Sequence, residues 1–398
     1  MSSADFVPSG GRITTESMSV RRDDLSALEP SVTRLHDLAA VPLRTHVREL
    51  GPWTRTTGQP ARAVVVWDSS GEPLACAVLD VRVTRTPFGS GARVRLAGHD
   101  TLDHQRLVAL HEGAAQALAD GISGLLDRHR WWRCELELLP AGDPVAHALT
   151  STAPWARTRA DDPVPYVRWT RRDGERWAPK KARQKLRHAQ RSAEETGRTT
   201  VTRLEGPQVL DALPATLDLR RERELALGRA DALADPRERQ AHVELVENLA
   251  ARDCVELWQL HLDGALVAYL LAARDGACVR LLDGRMHPGH EAIAPGMILH
   301  GHALQAWYAD PAIEQVDLGR GLNNFKRSLR TDDIETECTV LWSHAGLARA
   351  DGRVVSVLDS LRSLVRAARD SSPAIARGVR AARLAQVRTR AVRRGRWL

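Results

Sequence analysis

The run VELWQLHLDGALVAYLLAARDGACVRLLDGR, residues 255–285, decides the architecture. It contains three short segments, 255–262, 265–274 and 277–285, each reading as a strand. Asp263-Gly264 and Asp275-Gly276 separate them. Asp-Gly is the strongest short-range hairpin signal, because the tight turn needs positive φ at its central residues. Three strands joined by two hairpins form an antiparallel meander.

Downstream, Ala294-Pro295-Gly296 opens a helix that runs to about 308. A strand over 313–318 then delivers the chain to the turn Gly321-Leu322-Asn323-Asn324-Phe325-Lys326, and 337–343 is a last strand. Upstream of the meander, 179–196, 217–227 and 236–253 read as helices, the first of them basic and closed by Gly197. The N-terminal half repeats the plan: strands over 63–68, 74–84 and 92–96, helical periodicity over 107–129, and a strand over 133–139. Two meanders, each followed by a helix and a strand, point to a duplicated α+β fold with mixed, mainly antiparallel sheets and flanking helices. The expected organisation is a mobile segment over 1–25, a first domain over 26–172, a second over 173–345 and an Arg-rich helical tail over 346–398.

With 398 residues, 43% of them apolar and 27% charged, the chain has ample core for two soluble domains. No stretch of about 18 apolar residues is present, and the N-terminus lacks a signal-peptide core, which places the protein in the cytosol or peripherally at the inner membrane face. The five cysteines are scattered, with no Cys-x-x-Cys pair, so neither a zinc knuckle nor a redox motif is indicated. From Ser371 onward there are eight arginines and no acidic residue. Such a tail suits a polyanion, either nucleic acid or an anionic membrane.

Lysine is scarce: Lys180, Lys181, Lys185 and Lys326 are the only four. A chain that uses Arg nearly everywhere places an ammonium beside Phe325, one of three phenylalanines. Lys is a compact point charge whose pKa shifts readily on burial, which suits stabilising a developing oxyanion or binding phosphate. Asp317, at the end of the preceding strand, is placed either to accept a proton from an amine or to hold Arg320. The free N–H groups of the helix opening at Ala294, Pro295, Gly296 and Met297 form a candidate pyrophosphate cradle. Lys180, Lys181, Arg183, Lys185 and Arg187 spread over two helical turns, so their charges circle the helix, as solvated residues or as phosphate contacts. His287/His290 and His300/His302 are spaced like metal ligands but lack a carboxylate or thiol at fitting spacing, and no metal site is assigned. There is no Gly-x-Ser-x-Gly elbow and no Walker loop.

These segments resemble the cellulose-biosynthesis acetyltransferase-like (BioF-like) family, a branch of the GNAT fold. The likeness rests on the basic helix 181–191, the run Arg220-Arg221-Glu222-Arg223, Leu266-Val267-Ala268, Ala294-Pro295-Gly296-Met297-Ile298-Leu299, and Asp317-Leu318-Gly319-Arg320-Gly321 followed by Phe325-Lys326. The family usually has Ser where this chain has Ala294, and Tyr where it has Phe325. The Gly321-Leu322…Phe325-Lys326 run is also similar to one in FemAB-type transferases. The first half, with Gly98-His99-Asp100…Asp103, resembles the degenerate first domain of both groups. The likeness covers about 30–345.

The resemblance implies two tandem GNAT-like domains and transfer of an acyl group from acyl-CoA to an amine of a small molecule or amino sugar. In that picture Lys326 and Asp317 are catalytic, Ala294, Pro295, Gly296 and Met297 hold the donor, and Arg285, Arg320, Asn324 and Phe325 contact the acceptor. The usual GNAT pyrophosphate pattern, Arg/Gln-x-x-Gly-x-Gly/Ala, is absent. The FemAB-type likeness implies an alternative donor, aminoacyl-tRNA, which the basic tail and the Lys180 cluster would suit. A third alternative is a non-catalytic pair of domains docking on membrane or nucleic acid.

Overall fold

The computed structural model describes residues 18–350 apart from 88, 100–104, 173 and 230. The Arg-rich tail, most of the N-terminal segment, and Asp100 and Asp103 lie outside the described residues. The chain divides into two compact units. Among the described residues, the first comprises residues 18–175 with Arg320–Leu322 and Thr331–Ala348, and the second comprises Arg176–Gly319 and Asn323–Arg330 with Arg349 and Ala350.

The first unit contains β1 (Ser19–Asp24), α1 (Leu25–Leu38), α2 (Val47–Thr57), β2 (Ala61–Trp67), β3 (Pro73–Thr86), β4 (Gly89–Leu96), β5 (Val108–Ala109), α3 (Glu112–Leu126), β6 (Trp131–Pro140), α4 (Pro144–Thr152), β7 (Trp155–Ala160) and β8 (Val164–Arg168). In the second unit come α5 (Lys180–Thr196), β9 (Thr199–Glu205), α6 (Gln208–Ala226), α7 (Pro236–Ala250), β10 (Val255–Leu262), β11 (Ala265–Asp275), β12 (Cys278–Met286), α8 (Pro295–Ala309), β13 (Gln315–Asp317) and α9 (Asn324–Leu329). The chain then returns to the first unit with β14 (Asp332–Ile334), which pairs antiparallel with β8, and β15 (Thr336–Trp342).

The duplication is visible strand by strand. In the first unit the sheet runs β1-β2-β3-β4-β6, and in the second β9-β10-β11-β12-β13. In both, the first three pairings are antiparallel and the fourth is parallel. Two helices follow the first strand of each set, α1 and α2 or α6 and α7, and one helix joins the fourth strand to the fifth, α3 or α8. The closing rung of each parallel ladder carries the same chemistry. Arg95 stands opposite Glu135 and Arg280 opposite Asp317, and each Arg is bonded to its carboxylate at 2.9 Å.

Two expectations are corrected here. Ser19–Asp24, read as part of the mobile segment, is strand β1 on the edge of the first sheet, paired with β2. The last strand, read as part of the second domain, is β15, which lies between β6 and β7 in the first sheet. Its alternate residues Cys338, Val340 and Trp342 form an apolar cluster there, a preference that local pattern alone cannot assign to one sheet or the other.

Each sheet is covered by an apolar helix. Leu118, Ile122 and Leu126 of α3 are buried in one cluster with Val64, Ala77 and Val94 of the sheet, while Leu28, Val32 and Leu35 of α1 join Val65, Cys76 and Val78 in another. Because successive strand residues face opposite sides, Val64 and Val65 serve the two layers. In the second unit α8 packs on β10 and β11. Its Trp307 is fully buried, and Trp307 Nε1 and Trp258 Nε1 donate to the buried Glu256 carboxylate at 2.9 and 3.0 Å. Helix α5 buries Ala182, Leu186, Ala189 and Ala193 and exposes Lys180, Lys181, Lys185 and Arg187. The charges therefore share the outer side rather than circling the helix.

Candidate functional site

The site begins where β12 and β13 part. Their parallel ladder lasts three rungs, Cys278–Arg280 against Gln315–Asp317. Strand β12 then continues to Met286 along β11, while β13 ends. A sheet that splits in this way exposes backbone on the inner edge of each strand, and ligands favour such openings.

Helix α8 starts at the far end of β12. Its N-cap, Ala294, is in the left-handed region with φ 49°, and no side chain caps the helix. Pro295 is buried at the first helical position and lacks an N–H to leave unpaired. At the second, a Cβ added to Gly296 would meet nothing within 4 Å, so the space in front of the first turn is open. The corresponding helix of the first unit is different: the His111 ring accepts from Ala114 N–H, and a Cβ on Gly113 would reach Met18 and His111. Of the four residues assigned to the donor, Ala294 is exposed, Gly296 half-buried, and Pro295 and Met297 buried.

Lys326 is brought to this opening by α9. The Asn323 side chain accepts from Lys326 N–H at 2.9 Å and so caps the short helix. Lys326 Nζ then donates to the Gly319 carbonyl at 2.9 Å. Gly319 has φ 73° and Gly321 φ 81°, left-handed conformations that let the chain turn sharply after β13. The next side chain, Phe325, meets the His300 ring edge-on with centroids 4.7 Å apart. His300 Nδ1 lies 2.8 Å from the Gly296 carbonyl. A carbonyl only accepts, so Nδ1 carries the hydrogen and Nε2 the lone pair. Burial pushes the His300 pKa down to about 4, against the opposing effect of that hydrogen bond and helped by the Lys326 charge, so the ring is neutral at pH 7. One continuous path thus links Lys326, Phe325, His300 and the first turn of α8.

Asp317 is buried, and its carboxylate is occupied. Arg280 Nη1 donates to Oδ2 at 2.9 Å and Gly319 N–H to Oδ1 at 2.8 Å. The arginine it holds is Arg280, on the neighbouring strand. Arg320 is exposed and groups with the first unit. Asn324 is exposed at the start of α9. Arg285 donates through Nε to Glu224 at 2.7 Å and through Nη1 to Asp283 at 2.6 Å. Asp283 also accepts from Arg220 and from Tyr269. The two guanidinium groups hold the Asp283 pKa below its usual value despite burial. Burial and the Asp283 charge raise that of the Tyr269 hydroxyl against the pull of the same two arginines and keep it protonated. Arg285 is thereby part of a charged lattice that ties α6 to β12.

The histidine pairs are not joined as metal sites. His300 faces Phe325, whereas His302 Nε2 lies 3.2 Å from Gln190 Nε2 on α5, because residues two apart on a helix point to different sides. His287 Nδ1 already accepts from Gly289 N–H, so His290 Nδ1, 3.0 Å away, is its second donor. Burial pushes the thiols of Cys134, Cys278 and Cys338 up to about 12, which leaves them protonated at neutral pH and unsuited to nucleophilic catalysis. Sequence reasoning missed His300 as a site residue. Its spacing of four from Gly296, one helical turn, was the available signal. It also missed Arg280, for which only the parallel register supplies the partner.

Residues 180–327 match the family model described as an acetyltransferase (GNAT) domain. No curated protein matches the chain. Among solved structures, FemX is similar with TM-score 0.52 and 12% identity, covering 77% of this chain and 95% of FemX. A conserved protein of unknown function from Bacteroides thetaiotaomicron gives 0.50 at 11%, covering 81% of this chain and all of its own. The C-terminal domain of a putative lysylphosphatidylglycerol synthetase from Agrobacterium fabrum gives 0.49 at 12%, over 83% and 96%. The fold is thus that of two GNAT-like domains, and the second unit is an acyltransferase domain of the GNAT type.

Proposed function

We propose that the second unit moves an acyl group from acyl-CoA to the amine of a small molecule or amino sugar. The observation that carries this reading is the uncapped, open first turn of α8 linked through His300 and Phe325 to Lys326. Pro295 has no N–H and Met297 N–H donates to the Ala294 carbonyl at 2.9 Å, so the Gly296 N–H and the positive end of the helix dipole are what suit the donor's pyrophosphate. The splayed edges of β12 and β13 suit the extended thioester arm.

The amine lone pair attacks the thioester carbonyl carbon. As the C–N bond forms, the carbonyl oxygen gains negative charge, and the Lys326 ammonium stabilises it at a site partly shielded from water by Phe325. Collapse breaks the C–S bond, and the proton lost by the amine passes through water to the departing sulfur, which leaves as the thiol. Orientation of the two substrates supplies much of the acceleration. Asp317 acts by holding Gly319, and Asn324 and Phe325 line the approach of the acceptor. Arg285 holds the wall that α6 makes with β12.

The test is transfer from labelled acetyl-CoA to a panel of small amines, run beside transfer from aminoacyl-tRNA. CoA-dependent amide formation and a rise in Tm with CoA support the reading. Transfer from aminoacyl-tRNA alone would replace the donor and keep the chemistry. Transfer from neither would remove the proposal.

A further inference from the structure

We infer that the outer side of α5 is a docking face for an anionic lipid surface. Lys180, Lys181, Lys185, Arg187 and Arg191 are all exposed there, within the first twelve residues of the helix. Among the described residues, none of these five is ion-paired with a carboxylate. Like charges this close repel one another, and a partner that neutralises them gains what the folded chain leaves unspent.

The type of cation argues for the type of partner. Where this chain makes a specific ion pair it uses Arg, as in Arg280 to Asp317, Arg220 to Asp283, and Arg95 and Arg133 to Glu135. Three of its four lysines stand on this face, and among the described residues none of the three is ion-paired; the side-chain bond made there is Arg191 Nε to the Arg187 carbonyl at 3.3 Å. Arg is the residue for bidentate reading of phosphates and for stacking on bases, whereas Lys is a hydrated point charge suited to a diffuse anionic surface. Every exposed residue of α5 is polar. Its one exposed ring is the His188 imidazole, and it offers no apolar group to insert, so the face rests at headgroup depth.

The docked side is coupled to the site. The opposite side of α5 packs Leu186 onto Gly301 of α8, and Gln190 meets His302. A surface held by α5 is held one helix away from α8. The inference concerns docking alone and stands whether or not the proposed donor is right.

Full-length protein is sedimented with phosphatidylcholine vesicles, with and without about 30 mol% phosphatidylglycerol, beside the variant K180E/K181E/K185E. Both proteins keep the Arg-rich tail, so the difference between them reports α5. The expected result is binding only to the anionic vesicles, weakened by about tenfold or more in the variant and lost at high salt, with equal Tm for the two proteins. If charge reversal lowers Tm, K180Q/K181Q/K185Q replaces it, with a smaller loss expected. Equal vesicle binding by wild type and variant overturns the inference. So does a wild type that ignores anionic vesicles but binds a bulk tRNA preparation through the same three lysines.

Discussion

Asp317 and Lys326 are joined through a single residue. The Asp317 carboxylate accepts from Gly319 N–H at 2.8 Å, and the carbonyl of the same glycine accepts from Lys326 Nζ at 2.9 Å. With Arg280 bonded to the other carboxylate oxygen, three residues, Arg280, Asp317 and Gly319, set the position of the Lys326 ammonium. This separates two roles that sequence left open for Asp317. Asp317→Asn keeps an acceptor for Gly319 N–H but removes the charge beside Arg280, and Asp317→Ala removes both. A positioning role predicts partial turnover in the Asn variant and about a hundredfold loss in the Ala variant. Both variants lose stability by roughly 3 kcal/mol, since breaking a buried pair strands the partner charge. Equal and complete loss of turnover in the two variants, at unchanged substrate affinity, would instead make Asp317 the proton acceptor.

Lys326→Met should cut kcat by about a hundredfold to a thousandfold, the usual cost of deleting one donor to a developing oxyanion. Its effect and that of Asp317→Ala should not add in the double variant, because both act through the same ammonium. Tm should change little, since the Nζ bond to the Gly319 carbonyl lies at a half-buried turn, where a net hydrogen bond contributes about 1 kcal/mol. Steady-state kinetics on the three variants decides it, and additive losses would uncouple the two residues.

Much of this arrangement was legible from residues alone. The Asp-Gly turns gave the meander, the Pro-Gly start gave α8, and the scarcity of lysine marked position 326. What escaped was set by long-range pairing. The choice of Arg280 over Arg320 as partner of Asp317 follows from the register of a parallel ladder, to which nearby sequence is blind. The placement of β15 in the first sheet is of the same kind. Prolines concealed other elements: Pro30, Pro52 and Pro214 lie inside α1, α2 and α6, where a missing N–H ordinarily argues against a helix. The one-sided charge of α5 depended on which face its alanines buried, and that is fixed by the packing of α8.

Two glycines of α8 make opposite predictions. Gly296→Ala places a methyl in open space within a helix, so stability should hold or rise by up to about 1 kcal/mol. The same methyl stands where the donor's phosphates are proposed to approach, so the KM for donor should rise by about tenfold. Gly301→Ala sets a Cβ 2.6 Å from Leu186 Cδ2, which forces α5 away from α8 and should cost roughly 1–3 kcal/mol. Chemical denaturation with donor titration checks both, and a stabilised Gly296→Ala protein with unaltered KM would take the phosphates away from this turn.

Stability should fall on mild acidification, with a sign fixed by two histidines. His36 is buried, accepts from Val47 N–H through Nδ1 at 3.0 Å, and has its pKa pushed down to about 3 by burial, with the neighbouring His46 and Arg106 adding to it. His300 is pushed down to about 4. In the unfolded chain both titrate near the ordinary 6.5. Below that pH the unfolded state binds the proton and the folded state does not, so protonation favours unfolding. The loss begins near pH 6.5 and grows to about pH 4 for His300 and about pH 3 for His36, at up to about 1.4 kcal/mol per pH unit for a single group. Above pH 6.5 both rings are neutral in either state and contribute no slope. Replacing His36 with Asn, which cannot take up a proton, should flatten the curve between pH 6 and pH 4 by about that single-group slope, as read from urea melts at each pH. A slope unchanged by His36→Asn would mean that this ring is protonated in the folded protein, and the hydrogen bond to Val47 would then have to be broken under the same conditions.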